Sequence, residues 1–74
     1  MITFEDFKND ILIALESKPK DWRDGQFVFN YIEESFPGLS RAVQFGKKID
    51  CFYKDDKIDE FIKEAYNIYQ EHVN

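Results

Sequence analysis

Few side chains in this 74-residue sequence are equipped for acid–base or nucleophilic chemistry: one histidine, His72, one cysteine, Cys51, and carboxylates that include the closely spaced Asp50, Asp55 and Asp56. A nucleophile or general base works only with orienting groups within hydrogen-bond reach. His72 lies near the end of the sequence, where helices fray, and is expected to be an exposed or snorkelling side chain. Cys51 follows Asp50, and a neighbouring carboxylate raises a thiol pKa, so Cys51 is expected to act as a small buried hydrophobe. One cysteine cannot close an internal disulfide, and with one histidine it falls short of a zinc set. Asp50, Asp55 and Asp56 lack the spacing and central glycine of a calcium loop and suit helix capping. No phosphate-binding glycine motif occurs either. The sequence therefore assigns no catalytic residue, no cofactor site and no metal site, and it reads as a non-enzyme.

Groups suited to binding are concentrated between Trp22 and Tyr31. Arg23, Gln26 and Asn30 are set among large aromatics there, and buried polar groups must find partners. Gln26 and Asn30, four apart, share one side of a helix, and Arg23 is placed to stack on an aromatic face. One expectation is a clasp, with Arg23 reaching a carboxylate and Asn30 reaching backbone in the loop around Asp50 to Tyr53. Another is a protein-partner surface formed by Trp22, Arg23, Gln26, Phe27, Asn30 and Tyr31. A third is a nucleic-acid accessory using the basic residues Lys18, Lys20, Arg23, Arg41, Lys47 and Lys48. A helix-turn-helix with Arg41 and Gln44 as readers is opposed by a short recognition element, a proline-glycine turn and a net charge of −5. The acidic stretch Asp55, Asp56, Asp59, Glu60 and Glu64 is diluted by Lys54, Lys57 and Lys63 and reads as a solvated face.

The elements that position these groups follow from apolar periodicity. Thr3 with Asp6 resembles a capping box and starts a first helix, whose stripe is Phe4, Phe7, Ile11, Ala14 and Leu15, widened by Leu12 and Ile13. Pro19 ends it by about Ser17. A second helix begins near Asp21 or at Asp24, with Trp22, Gln26, Phe29, Ile32 and Phe36 on one face and Phe27, Val28 and Tyr31 on another, which predicts a central position. Gly25 inside it disfavours the helix by about 1 kcal/mol relative to Ala and demands a reason, such as a cap or a close backbone approach.

Pro37-Gly38 breaks the chain, and a short third helix spans Leu39 to Phe45 with Leu39, Ala42 and Val43 inward and Gly46 as its C-terminal cap. Ile49 to Tyr53 reads as a tucked loop with Phe52 plugging the core and Asp50 capping the turn. Asp55 or Asp56 caps the last helix, whose stripe is Ile58, Phe61, Ile62, Ala65, Tyr69 and Val73, with Asp59 paired to Lys63. The fold class is an all-α, compact three- to four-helix single domain over residues 1–74, with a short third helix and a tucked aromatic loop.

A chain this short buries only about 60% of its unfolded surface, so 18% aromatic content has to carry much of the core. Met1 to Asp6 has no basic leader pattern, and no apolar run approaches the ~18–20 residues of a membrane span, so no membrane association is expected. A free thiol suits a cytoplasmic setting, and the acidic balance disfavours non-specific binding to polyanions.

Trp22-Arg23-x-Gly25-Gln26-x-x-Phe29-Asn30, with Asp50-x-Phe52-Tyr53-x-Asp55 and Ile58-x-x-Phe61, resembles a pattern in short proteins of bacteriophages and prophages. The resemblance covers most of residues 19–62 and implies a phage or bacterial cytoplasmic context, with no activity and no catalytic residues attached. Cys51 stands where many such proteins carry proline, which leaves the geometry of the Asp50 turn open. The expectation drawn from sequence is a non-catalytic protein-binding module, a phage-derived accessory or host-modulating protein, with the nucleic-acid accessory as alternative.

Overall fold

A computed structural model describes residues 2–73, with the side chain of Val73, the last position of the expected stripe, outside the described residues. Four α-helices run in order: α1 (Phe4–Leu15), α2 (Asp24–Ser35), α3 (Leu39–Ala42) and α4 (Ile58–Val73). A π-helical turn, Val43–Lys47, extends α3, and a 3₁₀ turn, Asp55–Lys57, leads into α4. No strand occurs among the described residues. The molecule is the expected all-α domain. α1 packs on α2, α2 on α3 and α3 on α4, and α4 returns to α1.

Thr3 starts α1 as expected, its Oγ1 accepting from the Asp6 amide at 3.1 Å. The helix proper ends at Leu15, two residues before the expected stop. It unwinds through i→i−3 bonds made by the amides of Glu16, Ser17 and Lys18 ahead of Pro19. Phe7 and Ile11 are buried. Leu12 and Ile13, expected to widen the stripe, are exposed, Ile13 by 65%. One stripe of α1, from Phe4 through Phe7 and Ile11 to Leu15, faces the core, and the flank bearing Leu12 and Ile13 faces solvent.

A turn from Phe36 to Leu39 separates α2 from α3. Pro37 sets its second position and Gly38, at φ 89°, takes the left-handed third position of a type II turn closed by Leu39 N–H donating to Phe36 O at 2.9 Å. The expected C-terminal cap at Gly46 is not found. Gly46 lies inside the π-turn, and the left-handed residue that ends it is Lys48, at φ 58°. Its amide returns to the Val43 carbonyl, so the wider turn moves the cap two residues on.

The core centre also shifts from the expected position. α4 contributes Phe61, Ile62, Ala65, Tyr66 and Ile68 to it, whereas α2 contributes only Val28 and Ile32 among fully buried apolar side chains. The rings of α2, Phe27, Phe29 and Tyr31, stay half-buried, and Gly25 is the third buried residue of that helix. Phe7 gathers the aromatics of one half of the core, with Tyr66 at 5.5 Å, Phe36 at 5.8 Å and Tyr69 at 6.1 Å between ring centroids. Tyr66 also ties down the N-terminal segment, its hydroxyl donating to the Ile2 carbonyl at 2.8 Å. Asp59 and Lys63 do not form the expected ion pair; Lys57 reaches Glu60 instead, at 3.8 Å, and both are well exposed.

Candidate functional site

The segment from Trp22 to Tyr31 divides into an inner clasp and two outer faces. The clasp is built on Gly25. A Cβ there would overlap the carbonyl oxygen of Cys51 and come within 2.9 Å of its carbonyl carbon, so only glycine lets the 48–54 loop lie against α2. The Cys51 thiol donates to the Gly25 carbonyl at 3.4 Å, and Asp55 Oδ1 accepts from the Gly25 amide at 2.9 Å. The N-cap residue of α2 is Arg23, whose guanidinium has no acceptor to offer an amide. Asp55, thirty residues after Gly25, supplies the missing carboxylate at the positive end of α2.

This arrangement corrects several expectations. Asp55 caps α2 and not the last helix. Arg23 reaches no carboxylate among the described residues; its guanidinium lies 5.0 Å from the centroid of the Tyr53 ring, a cation–π contact. Asn30 forms no hydrogen bond to the loop and is half-buried on the other side of α2, whereas Gln26 turns back to accept from the Arg23 amide at 3.4 Å. Cys51, fully buried, is the plug of the loop, and Phe52 is only half-buried, edge-on to Phe29. Asp50 does cap the turn, accepting from Phe52 N–H at 2.8 Å and from Gln44 Nε2 at 3.1 Å. α3 uses the same device as α2. Glu33 accepts from the amides of Gly38, at 2.6 Å, and Arg41, while buried Ser40 donates to the Phe29 carbonyl at 2.7 Å.

Burial, then the charge of Asp50, pushes the Cys51 thiol up to about 12, so it is a neutral structural group at any ordinary pH. Comparisons with protein-family models, characterised proteins and solved structures find no match. The site must be read from its own geometry. Among the described residues no group of three or more His, Cys, Asp or Glu is placed to hold a metal ion. His72 is exposed on the last turn of α4, beside an apolar depression formed with Phe36, Leu39, Ile68 and Tyr69. Among the described residues no helix is long and apolar enough to cross a membrane.

On one outer face, Trp22, Phe27 and Tyr31 run in a row, with ring centroids 6.4 and 5.9 Å apart, the second pair stacked. With Pro19, Asn30 and Glu34 they line a shallow apolar depression. The structure thus brings together four of the six predicted partner residues, Trp22, Phe27, Asn30 and Tyr31; Arg23 and Gln26 do not line it. On the other face, an aromatic relay runs from buried Phe61 through Phe29 and Phe52 to Tyr53, which is 70% exposed. Tyr53 is the shared wall of two depressions, one with Phe29, Arg41, Gln44, Phe45 and Phe52, the other with Lys48, Ile49, Asp50, Lys54, Lys57 and Glu60.

The six predicted basic residues are divided among different settings. Lys18 pairs with Asp24 at 3.5 Å, Arg23 stacks on Tyr53, Arg41 and Lys48 border the Tyr53 depressions, and Lys20 and Lys47 line neither. Sequence reasoning missed Phe45, 73% exposed, and Tyr53 as surface groups. The available signal was their spacing: each adjoins a lysine-bearing turn, Gly46-Lys47-Lys48 for one and Lys54 for the other.

Proposed function

We propose that this protein is a non-catalytic protein-binding module that presents the Trp22–Phe27–Tyr31 row to a protein partner, as a phage-type accessory in the bacterial cytoplasm. The observation that carries the reading is the position of Trp22 and Phe27: neither packs into the central core, yet both are held at half-burial against each other. Aromatic side chains placed this way present large apolar area at little conformational cost, and Trp and Tyr are the residues enriched at binding hot spots. Asn30 and Glu34 border the row and give the rim polar groups. The phage-type context rests on the sequence pattern from Trp22 to Asn30 and from Asp50 to Asp55.

Capture from bacterial lysates tests the reading with the native chain and with Trp22→Ala and Phe27→Ala variants, each checked for helicity. A specific protein retained by the native chain and lost with both folded variants supports it. Recovery of no specific protein, or equal recovery by the variants, defeats it.

A further inference from the structure

We propose that the face centred on Tyr53 binds single-stranded nucleic acid, by stacking bases on Tyr53 and Phe45 and holding phosphates with Arg23, Arg41, Lys48 and Lys54. It shares no lining residue with the Trp22 depression and does not rest on the protein-binding reading. Tyr53 and Phe45 are 70% and 73% exposed, the most exposed aromatics in the molecule's described surface. These two rings border a single depression whose lining also contains Arg41. Arg23 lies over the Tyr53 ring at 5.0 Å, and Lys48 and Lys54 border the second depression, which shares Tyr53.

Rings interleaved with cations along a shallow track are the composition by which proteins hold single strands: every base offers a face to stack and every nucleotide a phosphate to neutralise. Asp50 and Glu60 also line the depressions, against Arg41, Lys48, Lys54 and Lys57, and Glu60 is paired with Lys57. Cations outnumber acids in this lining, so the local surface is basic although the chain carries a net charge of −5. Duplex DNA fits poorly, because α3 has four residues and continues as a π-turn, leaving no helix here to enter a groove. The net negative charge opposes general polyanion attraction, so binding has to depend on the rings.

Fluorescence anisotropy of labelled dT20 and rU20 oligonucleotides, with a hairpin duplex and polyglutamate as comparison ligands, tests this. Saturable binding to the single strands is expected, weakening about fiftyfold between 50 and 200 mM salt if four cations contact phosphate. Phe45→Ala and Tyr53→Ala each weaken it by about fivefold to a hundredfold, and Arg41→Ala or Lys54→Ala flattens the salt dependence. All four side chains are exposed, so circular dichroism should show unchanged helicity. No saturable binding, insensitivity to both ring substitutions, or equal affinity for duplex or polyglutamate overturns the proposal. Equal affinity for polyglutamate would mark the face as a site for acidic protein segments.

Discussion

Gly25 and Cys51 lock the second helix to the loop that precedes the fourth: the backbone of Cys51 occupies the space a Gly25 side chain would need, and the Cys51 thiol donates to the Gly25 carbonyl at 3.4 Å. Two segments 26 residues apart thus meet backbone to backbone, with no side chain between them. The fully buried Cys51 is small enough to follow its own carbonyl into the contact.

Gly25→Ala should therefore destabilise the protein. In an isolated helix the change is favourable by about 1 kcal/mol. Here the added methyl must displace the Cys51 carbonyl, at a cost of about 3 kcal/mol or more, comparable to the whole stability of a domain this small. Thermal melting of the variant checks this; a raised melting temperature would show that the loop does not lie against α2.

Cys51 gives a pH dependence with a definite sign. The fold favours the neutral thiol, up to about 12, while the unfolded chain releases the proton near 9.0. The contribution is complete below pH 9 and is lost as pH rises toward 12, by about 1.4 kcal/mol at pH 10. Urea denaturation at pH 8 and pH 10 should show a larger drop for the native chain than for Cys51→Ala, which has no thiol to titrate. In the native protein at pH 8 a disulfide reagent should modify Cys51 only at the rate of unfolding.

Asp55 and Asp56 are neighbours that the structure separates in function. Asp55→Ala removes the carboxylate acceptor of the Gly25 amide and should cost about 0.5–2 kcal/mol, with Asp55→Asn losing less. Asp56 is exposed and its carboxylate accepts no hydrogen bond among the described residues, and Asp56→Ala should change stability by less than about 0.5 kcal/mol. Equal losses in chemical denaturation would contradict the assignment of Asp55 as the cap of α2.

Lys48 holds a left-handed conformation, at φ 58°, that disfavours a side chain. Lys48→Gly should raise the melting temperature, by an amount equivalent to up to about 1 kcal/mol. Gly46, whose added Cβ would meet open space, has no such requirement, and Gly46→Ala should not lower stability. A loss from Gly46→Ala larger than that from any change at Lys48 would restore Gly46 as the cap.

Ser40 is fully buried and satisfied by one bond, to the Phe29 carbonyl at 2.7 Å. Ser40→Ala should cost about 1 kcal/mol in a denaturant titration, because that bond is lost inside the core. A neutral result would mean that the carbonyl is served by its own helix.

The sequence by itself determined the all-α class, the four helical segments, the Thr3 cap, the Pro37-Gly38 break, the Asp50 turn and the burial of Cys51. These depend on apolar period, backbone-restricted residues and hydrogen bonds within a few positions, all of which are local. It also marked Gly25 as needing a reason and the segment from Trp22 to Tyr31 as rich in binding groups. Only the tertiary structure decided what those groups do. That Asp55 caps a helix other than its own, that Arg23 stacks on Tyr53, and that Asn30 faces away from the loop depend on how elements far apart in sequence are apposed. The same apposition leaves Leu12, Ile13, Phe45 and Tyr53 outside. Local periodicity tells which residues can be buried together, whereas which face is covered, and which polar group reaches across, is set by the packing of the whole chain.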